Sequence, residues 1–316
     1  MTTALEDGSP SDPLGTVVDA AAGKVYWIEY YTAAVHMVDL DGTHQRALPT
    51  PGAPSSKALS LTLDPTTGTL YWANISDNSI VYAKTDGSGG GVLYSSRNLD
   101  GGYIGNPSQV AVDPARNLIY WANGDWRSRH LAGPIVYANL DGSGSPGAIT
   151  PTGAHCSDLT IVSAVQVDSA RNTLYLFGSG DAAGTGTLQK MALDGTGCSD
   201  LATGLYGKYT GSDRPYAMLF GGALDPQRNR LIFPEYGTDA SGAWPPGPSR
   251  MSYIELDNPA GPQLFSTGSA TMGPAGAVFP TLLAAPVIDV AAAVIPNDAT
   301  TGQTITCGGT WSVGIP

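Results

Sequence analysis

Charge is scarce in this 316-residue chain: Asp, Glu, Lys and Arg make up only 13% of it. Basic residues number 15 against 27 acidic ones, for a formal net charge of −12. No basic stripe exists to neutralise phosphates, which argues against nucleic acid as a partner. Long apolar runs are missing too. The longest, "LLAAPVIDVAAAVI", is broken by Pro286 and Asp289, so nothing reads as a membrane span. The start, "MTTALEDGSPSDP", is polar and acidic and is no signal peptide. No stretch of ten or more residues has a convincing helical apolar period. Histidines number four, and neither an H-E-x-x-H nor a G-x-S-x-G motif occurs.

What is present is β-forming. Hydrophobic residues reach 42%, in short runs of Val, Tyr, Leu and Ile, and 41 Gly with 24 Pro separate the runs. Self-comparison shows why. "VVDAAAGKVYWIE" starts at Val17, "LTLDPTTGTLYWAN" at Leu61, "VAVDPARNLIYWAN" at Val110, "VQVDSARNTLYLFG" at Val165 and "GALDPQRNRLIFPE" at Gly222. An aspartate always stands seven positions before the aromatic or apolar residue: Asp19/Tyr26, Asp64/Tyr71, Asp113/Tyr120, Asp168/Tyr175 and Asp225/Ile232. A second phrase, of the type "ANLDGSG", follows at variable distances of 15, 15, 21, 19 and 25 residues. From it to the next first aspartate takes 23, 27, 27 and 31.

Each unit reads as four short strands, with a "DPARN"-type turn after the first and a "DGSG" turn after the third. Four-stranded units at a period of 45–57 residues signal an all-β β-propeller. The repeated first aspartate reads as a turn cap accepting backbone N–H groups two residues on. The Tyr-Trp pairs read as core between blades. "LDPTTGTLYWANISDNSIVYAKTDGSGGGVLY" resembles the YWTD repeat, the low-density lipoprotein receptor class B repeat, in its form common in secreted bacterial proteins. The resemblance spans roughly residues 14–280. It departs at the fourth motif position, where Glu29, Asn74, Asn123, Gly178 and Glu235 replace aspartate.

The resemblance implies six blades. Five units are complete, and a degenerate sixth starts at "AGAVFPTLLAAP", without Tyr-Trp or Asp-Gly. "ALEDGSPSD" near the N-terminus would supply an outer strand for it. Six blades with a degenerate last one is the expectation, and a five-bladed ring is the alternative. The propeller is assigned residues 1–285. Residues 286–316 form a linker and a partial segment whose "GQTITCGGTWSVGIP" resembles the opening of a bacterial immunoglobulin-like module.

All length variation falls after strands two and four, at one end of the blades, and function tends to ride on such loops. This loop end receives Tyr30, Tyr31, Tyr103, Trp126, Tyr206, Tyr209, Tyr236 and Trp244, with Arg127 and Arg129 beside Trp126. Such aromatics suit binding of a protein, peptide or glycan, or else they pack the loops on one another. Cys156 and Cys198 occupy matching phrases, "GAHCSDL" and "GTGCSDL", in consecutive units. They read as a disulfide clamping two blades, or as two free thiols. The sequon at Asn74 carries little weight.

No catalytic residue and no metal ligand is assigned, and structural calcium is the one cofactor left open. The expected function is a secreted or surface-attached, non-enzymatic binding propeller in a larger modular chain, with neither nucleic acid nor inserted membrane as partner. Two alternatives stand beside it: a metal-dependent lyase or hydrolase, and a structural spacer.

Overall fold

The computed structural model describes residues 13–54, 57–95, 105–124, 132–153, 161–179, 186–205, 208–209, 216–217, 221–235, 250–257 and 259–266. Blade 1 holds β1 (Pro13–Asp19), β2 (Lys24–Glu29), β3 (Val35–Asp39) and β4 (Arg46–Leu48). Blade 2 holds β5 (Thr62–Asp64), β6 (Thr69–Asn74), β7 (Ser79–Lys84) and β8 (Gly90–Ser95). Blade 3 holds β9 (Pro107–Asp113), β10 (Leu118–Gly124), β11 (Ala132–Asn139) and β12 (Gly147–Ile149). Blade 4 holds β13 (Ile161–Asp168), β14 (Thr173–Ser179), β15 (Gly186–Ala192) and β16 (Ser199–Leu205). A short hairpin, β17 (Lys208–Tyr209) and β18 (Tyr216–Ala217), leads to blade 5. That blade holds β19 (Ala223–Asp225), β20 (Arg230–Glu235), β21 (Arg250–Glu255) and β22 (Gln263–Ser266).

Each blade is a four-stranded antiparallel meander in chain order, and the first strands of successive blades lie side by side. The described residues thus form a β-propeller with five blades, the alternative count rather than the expected six. The segments expected to make the degenerate sixth, from residue 275 and near the N-terminus, lie outside the described residues, as does the immunoglobulin-like segment.

Alternation along the second strand builds the core. Neighbouring residues on a strand point to opposite faces. Tyr71 packs in the seam with blade 3, and Trp72 in the seam with blade 1. Tyr120 likewise packs toward blade 4 and Trp121 toward blade 2. Tyr26 joins the blade 1–2 seam, and Tyr175 the blade 4–5 seam beside Phe177 and Phe233. One dipeptide therefore serves two interfaces, and no blade completes its core alone.

The turn after the first strand is equally regular. All five leading aspartates are buried. Oδ1 of Asp19, Asp113, Asp168 and Asp225 accepts the backbone N–H three residues on, at 2.9–3.2 Å, and Asp64 accepts the one two residues on. The cap is as expected, with a one-residue longer reach in four blades. Four residues after each aspartate the chain takes a left-handed conformation, at Gly23, Gly68, Asn117, Asn172 and Asn229, with φ of 52–66°. Gly and Asn tolerate that region, which explains their alternation in the motif.

Arginine three residues after the aspartate does more than fill a turn. Arg116 pairs with Asp113 at 2.8 Å and also donates to the Ser169 carbonyl of blade 4 at 3.1 Å. Arg171 pairs with Asp168 at 2.9 Å and reaches the Asn229 side chain of blade 5. In blade 2, hydroxyls of Thr66 and Thr67 satisfy Asp64 locally instead.

Two outcomes follow from these seams. Arg116→Ala leaves the buried Asp113 carboxylate without its cation and the Ser169 carbonyl without its donor. A loss of about 1–3 kcal/mol is expected in urea unfolding, and Lys at this position restores little of it because it has no second arm. An unchanged midpoint would refute the stitch between blades. Alkali should act through the tyrosines. Burial first, and the nearby aspartate second, push Tyr71, Tyr120 and Tyr175 up to about 12. The unfolded chain releases these protons near pH 10. Their stabilising contribution is therefore complete below pH 10 and lost as the pH rises toward 12. Ultraviolet titration should show a late tyrosinate class that ionises together with unfolding.

Candidate functional site

The two ends of the blades differ in chemistry. At the turn end each Asp-Gly turn is closed by its own aspartate. Asp41 accepts the Thr43 N–H at 2.9 Å, Asp86 the Ser88 N–H at 2.8 Å, Asp141 the Ser143 N–H at 2.9 Å and Asp194 the Thr196 N–H at 2.9 Å. Hydrogen bonds from the Thr or Ser two residues on hold these four carboxyls below the usual range. This end repeats one arrangement and leaves little room for specificity.

At the loop end the fourth motif position sets the chain's exit from each second strand. Asn74 is fully buried, and its Oδ1 accepts the Asp77 N–H at 3.3 Å. A side chain so enclosed is closed to glycosylation in the folded protein. Asn123 accepts the Gly105 N–H at 3.2 Å and so anchors the connection entering blade 3. Glu235 accepts the Ser252 hydroxyl, also without solvent exposure. In blade 1, Glu29 accepts Trp27 Nε1–H at 3.2 Å and stands 4.0 Å from His36 Nε2. His36 stacks on the Trp27 ring with centroids 5.3 Å apart. At these four places the side chain that replaces aspartate makes a hydrogen bond to its own loop, strand or blade.

Of the aromatic candidates, Tyr30 and Tyr31 stand together just past β2. Their rings meet edge to face at 4.8 Å, and Tyr31 is 64% exposed. Lys57 Nζ lies 5.7 Å from one ring centroid and 5.9 Å from the other. Tyr209 lies on β17, in backbone register with Tyr216 of β18. Tyr103, Trp126, Arg127, Arg129, Tyr206, Tyr236 and Trp244 lie outside the described residues. Sequence reasoning missed Lys57, Tyr216 and the Trp27–His36 stack. Tyr216 had a signal: "KYTGSDRPYA" is two tyrosines flanking a turn-rich centre.

Among the described residues no group of three His, Cys, Asp or Glu is placed to hold a metal ion. No helix there is long and apolar enough to cross a membrane. His44 is exposed and pairs with Asp39 at 2.8 Å, and His36 is buried in its stack. His130 and His155 lie outside the described residues.

Cys198 is buried and disulfide-bonded. The chain leaving blade 3 runs beside it: Gly153 bridges Cys198 in parallel, and Cys198 N–H donates to the Thr152 carbonyl at 3.1 Å. A Cβ on Gly153 would sit 2.4 Å from the Cys198 carbonyl oxygen, so only glycine allows this approach. Cys156, three residues further on, lies outside the described residues.

No family model matches the chain. A Pyricularia oryzae protein described as low-density lipoprotein receptor-related protein 1 is 27% identical over 191 residues, 55% of this chain and 60% of that protein. Protein cueball of Drosophila erecta is 33% identical over 93 residues, 29% of this chain and 13% of that one. The chain thus spans less than two thirds of either curated relative. A chain in the crystal structure of a nidogen/laminin complex superposes with a TM-score of 0.58 at 16% identity, over 81% of this chain and 79% of that one. A TolB-type protein from Agrobacterium tumefaciens gives 0.57 at 13% identity, over 81% of each chain. At such identities the structural likeness carries the propeller fold alone.

The expected disulfide partner is Cys156, which would close a loop between blades 3 and 4. Non-reducing peptide mapping should link Cys156 to Cys198, and Cys198→Ser should cost roughly 2–4 kcal/mol. A map joining Cys198 to Cys307 would overturn this pairing.

Proposed function

We propose that this chain is a non-enzymatic, extracellular binding propeller that recognises a protein or peptide through its loop end. The observation that carries this reading is the Tyr30–Tyr31 pair, half-buried at Tyr30 and exposed at Tyr31, at the end where the connections vary in length. Exposed, rigidly held tyrosines give large contact area at low entropic cost. The turn end, by contrast, repeats the same self-satisfied aspartate turns.

The comparisons support a protein partner rather than a small substrate. One relative carries the name of a lipoprotein-receptor-related protein, and one structural neighbour was solved in a nidogen/laminin complex. A propeller scaffold by itself hosts many functions, so the partner must be argued from surface chemistry. We place the longest loop tip of blade 3, with Trp126, Arg127 and Arg129, in the same binding end, together with Tyr103, Tyr206, Tyr209, Tyr236 and Trp244. Residues 286–316 are assigned to a linker and the opening of an immunoglobulin-like module, which fits a modular surface protein.

The test is a binding screen of the whole chain against extracellular-matrix proteins and peptide arrays. For a partner so found, Trp126→Ala and Trp244→Ala should each weaken binding about tenfold at an unchanged melting temperature. Asp86→Ala, at the turn end, should leave affinity alone. Loss of binding with Asp86→Ala but not with the tryptophan variants would move the site to the other end.

A further inference from the structure

Lys57 combines three properties. Its ammonium sits over two tyrosine rings at 5.7 and 5.9 Å, within the range of cation–π attraction. Among residues whose side chains are described, it is the one cation that the topology puts at the loop end; Lys24, Arg46, Lys84, Arg116, Arg171, Lys190, Arg228 and Arg230 all fall toward the turns. And its ammonium pairs with no carboxylate among the described residues, although the chain carries 27 acidic residues.

The backbone around this group is fixed from both sides. Ala58 N–H donates to the Tyr30 carbonyl at 3.0 Å, tying the segment to blade 1. Ile75 N–H donates to the Lys57 carbonyl at 3.0 Å, tying it to blade 2. Ala58 also bridges Asn74, whose side chain is enclosed. Lysine ordinarily loses much rotamer freedom on binding. Here the two rings restrict it beforehand, so part of that cost is met before any partner arrives.

We infer that Tyr30, Tyr31 and Lys57 form an anchor for an acidic side chain of a partner polypeptide. The inference rests on the binding reading above and adds the chemistry of the ligand. The ring faces supply no hydrogen-bond acceptor for the ammonium donors that point away from them, and a carboxylate supplies one. The exposed flank of Tyr31 then covers the apolar neighbour of that Asp or Glu. Closure over the pair removes water from the ion pair and strengthens it.

The experiment uses the full chain and two synthetic dodecamer arrays, identical except that every Asp and Glu of the first is Asn or Gln in the second. Wild-type protein should retain members of the carboxylate array and lose them in the carboxamide array. Lys57→Gln should weaken the retained peptides about tenfold and flatten their salt dependence. Tyr31→Ala should weaken them as well, and Lys57→Arg should recover most of the affinity. Melting temperatures should be unchanged in the two Lys57 variants, because that side chain bears on no core seam. Equal retention on both arrays, or full affinity in Lys57→Gln, overturns the anchor. If Trp126→Ala abolishes binding that Lys57→Gln leaves intact, the loop-end reading stands and the anchor falls. If wild-type protein retains nothing from either array, both fall together.

Discussion

Everything in this propeller depends on the fact that consecutive strand residues face opposite ways. The second strand of a blade is flanked by two other blades, and a Tyr-Trp dipeptide there buries one ring in each seam. Four seams use these two strand positions, from blade 1 to blade 5, with Leu176 and Phe233 standing where blades 2 and 3 have tryptophan, and each needs residues from two repeats. That is why the dipeptide recurs at a fixed distance from the turn aspartate while the loops drift in length. A one-residue slip between turn and dipeptide would exchange the two faces and empty both seams at once. Trp27 shows the rule from the other side. It sits on the face of blade 1 turned away from blade 2, where it stacks on His36 and is only half-buried.

The turn aspartates lock this arrangement at the other end of the strands. A buried carboxylate is costly unless hydrogen-bonded or paired. The chain meets that demand in two ways. Blade 2 satisfies Asp64 with threonine hydroxyls, a purely local solution. Blades 3 and 4 use arginine, whose planar fork can hold the carboxylate and still reach the next blade. The same sequence position is thus neutral in one repeat and a link between repeats in another.

Much of this was legible in the sequence because it is local. The seven-residue spacing, the Asp cap, the Gly-or-Asn position and the Asp-Gly turns each involve residues a few positions apart. Their periodicity exposed the propeller. What stayed hidden was contact between repeats. Arg116 reads as a turn residue until Ser169 is found beside it, 53 positions away. Lys57 reads as an ordinary loop cation until the connection from blade 1 folds back over Tyr30 and Tyr31. Of the aromatic candidates, this pair emerged as a cluster, and Tyr209 gained a cross-strand partner. The blade count was the least legible feature, since a degenerate repeat lacks the spacing that identifies the others.

The division of labour between the ends follows from the same physics. Turn-end side chains are spent on one another: aspartates cap turns, and arginines neutralise the aspartate of their own blade while donating to the next. A group so engaged offers a partner little, because any new contact must first break an old one. At the loop end Asn74, Asn123 and Glu235 use their polar atoms on the loop backbone or a neighbouring strand, which steadies the exits and leaves the tips to vary. Two groups there, exposed Tyr31 and the ammonium of half-buried Lys57, are held in place and yet retain unused capacity among the described residues: a ring flank and hydrogen-bond donors. Rigid support with unsatisfied chemistry is what recognition needs, and among the described residues those two properties coincide at this pair.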